Sequence, residues 1–330
     1  MLSLRRLLSP LAILLLATFT IVGAGPRPGA VFKELAAVDH ATADDDPATP
    51  DPLRYRSYAI DLSSLRAKLG SASLDDAGGG VEITLPMPDG RLMRFRATES
   101  PVLGPEMQRV LPDIRTYLVH GLDDRVAYGR IDLTRYGLRG YLDTRGGTVM
   151  IDPLVRGRTD RVMSYWTRDE ASEGKESFDC EMRVRGDLGL RRAALGGSLP
   201  PQTRVGDTLH SYRFAMITTA EYNAVYGGDT LNGLAEMVTA VNRINVPYGR
   251  DLSVRLVAVY LRTWPDPDTD PFWFNGLQLV NDQQALMDSL IGGNDRYDTG
   301  ALLHKGTSTN PGIAGFSALE SKGGIGATIG

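Results

Sequence analysis

Only one cysteine, Cys180, occurs among the 330 residues, so no disulfide can close within the chain and stability must come from packing. Basic charge is not in excess either. Lys and Arg number 36 against 40 Asp and Glu, a formal net charge of -4, which offers no broad cationic field for a phosphate backbone and excludes nucleic acid as the expected partner. There is no GxSxG elbow and no GxxxxGK[ST] loop, which removes the usual serine-hydrolase and phosphate-loop readings. The closing GGIGATIG does not space its glycines as GxGxxG. DPDTDP (266–271) begins like a calcium loop, but Pro271 replaces the turn glycine and Leu277 the bidentate Glu, so a solvated loop is expected. Histidine is scarce: His40, His120, His210 and His304 stand too far apart for any local ligand motif.

What is present begins with an export signal. Arg5 and Arg6 precede an apolar run, and Val22 and Ala24 supply the small residues of a cleavable end. Cleavage is expected after residues 1–24; Pro10 and the small residues weigh against an uncleaved anchor. The expected location is secreted or periplasmic, with no membrane association once the signal is removed. Residues 25–53 read as a disordered linker, because DHATADDDPATPDP combines acid, Pro and Ala with almost no apolar content.

Residues 54–181 read as a β-rich domain. In VEITLPMPDGRLMRFRA, Val81, Ile83 and Leu85 alternate before the Asp89-Gly90 turn, and Met93 and Phe95 alternate after it, the pattern of a hairpin with one buried face. Pro86 and Pro88 keep the first strand at an edge or break it near the turn. Residues 182–207, rich in Arg, Gly and Pro, read as a second linker. Its Arg191-Arg192 pair is either an activation cleavage site or a chance pair in an Arg-rich stretch.

From residue 208 the pattern changes. Ser211–Thr218 and LSVRLVAVYL (252–261) read as strands, while Leu231, Leu234, Ala235, Val238 and Val241 recur at helical spacing between them. Leu279, Leu286, Met287, Leu290 and Ile291 suggest a second helix before YDTGALLHKG and GIAGFSAL, two further strand candidates. This order implies an α/β layer with crossover connections.

That order, with the phrases YRFAMITTAEYNAVYGG, VTAVNRINVPYGRDLSVRL and NDQQALMDSLIGGNDRYDTG, resembles the secreted bacterial reprolysin-like zinc metallopeptidases of the metzincin clan. ITLPMPDGRLMRFRATESPVLGPEM, PDIRTYLVHGLDD and VMIDPL resemble the prosegment of such enzymes. The resemblance implies a β-rich prosegment domain followed by an α/β catalytic domain over 208–330. It also implies zinc as cofactor and a protein or peptide substrate that pairs with an edge strand, here Gly312, Ile313, Ala314, Gly315 and Phe316. The family's HExxHxxGxxH motif is absent from these 330 residues. The expectation is therefore an incomplete metzincin-like domain lacking its zinc-binding helix, one sheet face left uncovered, and a chain inactive as it stands. No zinc is expected to bind it.

Two departures from the family bear on its metals. Ala301 stands where relatives often carry His, and the first strand offers Arg213 and Phe214 where calcium-binding relatives have an acid. Cys180 is either a packed small residue or a thiolate that holds a catalytic zinc latent. A noncatalytic exported protein that binds a partner or inhibits a related peptidase is the alternative function.

Overall fold

In the computed structural model the described residues are 31–35, 49–75, 78–170, 208–271, 285–304 and the backbone of 324–329. All lie within one compact unit, Val31–Gly330. Nine strands form an antiparallel sheet: β1 (Phe32–Glu34), β2 (Arg56–Ile60), β3 (Val81–Pro86), β4 (Leu92–Glu99), β5 (Arg115–Gly121), β6 (Tyr128–Thr134), β7 (Gly137–Thr144), β8 (Gly147–Pro153) and β9 (Arg161–Trp166). Their spatial order is β1-β2-β9-β8-β7-β6-β5-β4-β3. The expected hairpin is β3–β4, with Ile83 opposite Phe95 and Leu85 opposite Met93. Gly90 takes the positive φ of 91° that closes its turn. β3 is an edge strand, which tolerates Pro86 because no neighbour needs its missing N–H.

Alternation decides which face of this sheet is apolar. Ile83, Leu85, Phe95, Ala97, Val119, Ile131, Leu133 and Leu142 point to one side and are fully or nearly fully buried, joined by Leu65 and Leu69 of α1 (Leu62–Leu69). Each of these side chains larger than Ala97 contributes about 1.5–3 kcal/mol on burial. The sheet curls around this core: Tyr58 of β2 donates to the carbonyl of Met87 (3.0 Å) and Ser164 of β9 to that of Pro86 (2.9 Å). Phe32 belongs to the same core. Part of the 25–53 stretch expected as linker is thus strand β1, held by Phe32 burial and by pairing with β2.

A second sheet is parallel, in the order β11-β10-β12-β13, from β10 (His210–Thr218), β11 (Val254–Arg262), β12 (Thr299–Leu303) and β13 (Gly324–Ile329). Between β10 and β11 run α3 (Ala220–Val225) and α4 (Thr230–Pro247), the crossover that parallel pairing requires. Asp229 caps α4 by accepting the Asn232 N–H, and Asn245 locks its far end to β11 through two hydrogen bonds with Leu256, 2.7 and 2.9 Å. Phe214 and Met216 pack under α4; Ala215 and Ile217 turn to the opposite face.

That opposite face differs from expectation. Met287, with Leu290 and Ile291 from the helical residues 285–291, packs there with Ile217, Trp264, Tyr297 and Leu302, so among the described residues both faces of β10 are covered. The GIGATI segment, rejected as a nucleotide loop, is strand β13 beside β12.

Candidate functional site

Two stripes run along α4. Apolar Leu234, Ala235, Val238 and Val241 face the second sheet's core, as their spacing predicts. Glu236, Thr239, Asn242 and Arg243 form a polar stripe at steps of three and one, and it lies against the first sheet. The matching residues alternate along β6–β8: Arg130, Asp132, Arg139 and Asp152 point away from the apolar core and are buried by the helix.

The partners are specific. Arg139 grips Glu236 with both terminal nitrogens, one at 2.6 Å. Arg243 donates to Asp152 at 2.5 Å, whose other oxygen accepts the Tyr165 hydroxyl at 3.0 Å. Asp132 accepts from Thr239 (2.9 Å) and Asn242 (3.2 Å), and Arg130 donates to Asn242 Oδ1 (2.7 Å). Burial pushes the Asp132 carboxyl up to about 6 against the pull of Arg139 and Arg243. Burial, reinforced by Arg255, lowers Arg130 to about 10. Arg250 pairs with Asp143 at the end of the same seam.

Beside this seam the first half enters the second sheet. The Ala258 N–H donates to the Val102 carbonyl (2.7 Å) and the Gly104 N–H to the Ala258 carbonyl (2.8 Å), a parallel bridge on the outer edge of β11. Thr116 holds this segment by donating to the Ser100 carbonyl at 2.7 Å and accepting the Val102 N–H at 3.1 Å. Val102, Leu103, Met107, Leu111, Ile114 and Tyr136 then share one core with Met216, Val238, Val241 and Ala258.

A smaller polar cluster lies at the carboxyl ends of β10–β12. The Ala220 N–H donates to Asp270 (2.5 Å), the Thr218 and Thr263 hydroxyls bond at 2.7 Å, and His304 Nδ1 lies 3.1 Å from Thr219 Oγ1 and 4.0 Å from Glu221. One carboxylate beside one imidazole is too few donors for zinc. His120 stacks edge-on against Tyr128 and His210 begins β10, so neither joins His304. Among the described residues no three of His, Cys, Asp and Glu gather as metal ligands. These residues do not fit zinc. Where calcium-binding relatives carry an acid, Arg213 binds Asp298 instead.

Cys180, Arg191, Arg192 and the edge strand Gly312, Ile313, Ala314, Gly315 and Phe316 lie outside the described residues, as does His40. The α4 seam was missed in the sequence. Its signal was there: four polar residues at helical spacing on α4, and Arg130-x-Asp132 at strand spacing on β6.

Residues 234–328, from within α4 to within β13, match the model of the reprolysin-like metallo-peptidase family M12B. This segment is similar to that family. A solved structure similar to the chain is metalloproteinase-II from Bacteroides fragilis, 13% identical over 82% of this chain and 80% of that one, with a TM-score of 0.43. No curated protein sequence matches the chain. The matched segment thus includes every α4 residue of the seam and the strand edge at Ala258; the α4 residues are held by strands of the first sheet, and Ala258 by Val102 and Gly104 of the segment that follows β4.

Proposed function

We propose that the protein is the precursor part of an exported zinc metallopeptidase, a zymogen in which residues 54–181 serve as prosegment and residues 208–330 begin the peptidase domain. One observation carries this reading: the family-matched segment begins in the helix that the first sheet grips through buried ion pairs. A peptidase segment so gripped would be free to act only after release, so the docked first sheet suits a latent form. The N-terminal signal supports export, and Arg191-Arg192 remains the proposed activation point.

These 330 residues are proposed to be inactive alone, since they contain no HExxH from which a general-base Glu could act on a metal-bound water. The substrate in the active form would be a protein or peptide in extended conformation, paired with the edge strand around Gly312–Phe316. The deciding test is the reading frame after the codon for Gly330. An in-frame HExxHxxGxxH supports the zymogen, and its absence favours the noncatalytic partner-binding reading. Chelator-sensitive casein cleavage by a clean preparation of the 330-residue chain would overturn inactivity.

A further inference from the structure

We propose that the seam is a self-sufficient docking surface, holding residues 208–304 as a noncovalent partner of residues 31–170 even when the chain between them is cut. The surface has three parts. An apolar part brings Val102, Leu103, Met107, Leu111, Ile114 and Tyr136 into the core under α4. The backbone part is the bridge at Ala258, where Gly104 suits the close approach: a Cβ there would lie 3.3 Å from the Ala258 carbonyl oxygen. The ionic part joins Arg139 to Glu236 and Asp152 to Arg243, with both carboxylates and Arg139 at least nine-tenths buried.

An interface built as a shared core, with largely buried charge pairs, has the character of a permanent contact. Undocking would break the Arg139–Glu236 and Arg243–Asp152 pairs and bare the shared apolar residues to water together. Its occupant is therefore specific, a helix with the Glu236-Thr239-Asn242-Arg243 stripe beside an open parallel strand edge. The consequence rests on the zymogen reading. Cleavage between residues 171 and 207 would not by itself free the reprolysin-like segment, and activation would need a second step, destruction or displacement of the first sheet.

The test places a site-specific protease sequence between residues 171 and 207 of the full chain, cuts the folded protein and separates the products by gel filtration at physiological salt. The two pieces are expected to elute together at the volume of the uncut chain. Elution apart, or in the void volume, overturns the proposal. Glu236→Ala should weaken retention about 100-fold or more, the consequence of leaving Arg139 buried without the carboxylate that its two terminal nitrogens grip, whereas Arg168→Ala, outside the seam, should leave it unchanged. Where Glu236→Ala compromises folding, the apolar pair Arg139→Met with Glu236→Leu keeps the test sharp: co-elution restored by the pair traces the loss to the stranded Arg139 charge, and co-elution not restored overturns that assignment. Unchanged retention in Glu236→Ala overturns the assigned seam. Separation of the pieces would leave the peptidase reading intact, because the reading frame tests that independently.

Discussion

The nine-stranded sheet alternates apolar and polar residues along β4 and β6, whereas β10 carries Phe214, Ala215, Met216 and Ile217 in an unbroken buried run. The difference follows from how each sheet is covered. An antiparallel sheet can leave one face polar, while a parallel sheet with helices on both faces must be apolar throughout. Yet the polar face of β6–β8 is not solvated here: α4 covers it, and its charges are paired instead of hydrated. One helix therefore serves two sheets by two different chemistries, hydrophobic burial toward β10 and ionic hydrogen bonding toward β6–β8.

The sharpest break of this comparison is Glu236→Ala. It leaves the Arg139 guanidinium buried without its carboxylate and should destabilise the protein by about 3–5 kcal/mol in urea unfolding. Replacing both partners, Arg139→Met with Glu236→Leu, should recover most of that loss, because two apolar residues also remove the Arg139 Nε that has no hydrogen-bond partner. A single mutant within 1 kcal/mol of the parent would show that α4 is held by its apolar stripe alone.

Next in size is a pH effect at Asp132. Its carboxyl rises from the ordinary 3.8 to about 6 on burial, so the folded state binds the proton more tightly than the unfolded chain. The stability this confers is complete below about pH 4 and is lost as pH rises through about 6, a change of about 3 kcal/mol. Asp132→Asn should flatten that part of the stability profile. A wild-type profile equally flat between about pH 4 and 7 would mean that Thr239, Asn242 and the flanking arginines hold the anion as well as water does.

The strand and helix order was legible from Ile83, Phe95, Val238 and Leu256 because periodicity reports which side of an element meets a core. The seam was not legible in the same way. Arg130 and Asp132 alternate as solvent-facing residues would, and only the tertiary placement of α4 turns that face inward. The family resemblance was legible from local phrases and matches over 234–328. Phe32 was absorbed into an apparent linker because a three-residue strand is too short to show a period. Coverage of the second face of β10 was misjudged because it was assigned wholly to a helix absent from these residues, although Met287, Leu290 and Ile291 already had the spacing to pack there.

Gly233→Ala probes the joint where α4 leaves α3. A Cβ there would meet Asn223 Oδ1 at 2.3 Å and Thr263 Oγ1 at 3.0 Å. Both neighbours are buried and tied, Asn223 Nδ2 to the Gly228 and Trp264 carbonyls and Thr263 to Thr218. Overpacking should cost about 1–3 kcal/mol, more than the gain in helix propensity returns. A more stable variant by thermal melt would show that the α3–α4 junction yields easily.

The smallest expected effect is at Arg213, which joins β10 to the approach of β12 from the solvent side. Its guanidinium donates to Asp298 at 2.7 Å and to the Asp295 carbonyl at 2.7 Å, and its own N–H reaches Asp298 at 2.7 Å. The side chains are 46% and 32% exposed, so solvent screens the attraction and the geometry supplies most of its value. Arg213→Ala should cost about 1 kcal/mol and lose that difference in high salt, while Arg213→Lys should recover only part of it, because an ammonium cannot reproduce the fork toward two acceptors. The contrast with Glu236 is the point of the measurement: a similar ion pair at the rim of the parallel sheet should be worth a fraction of the one sealed under α4. Equal losses for the two alanine variants would mean that burial of the seam is not what sets its strength.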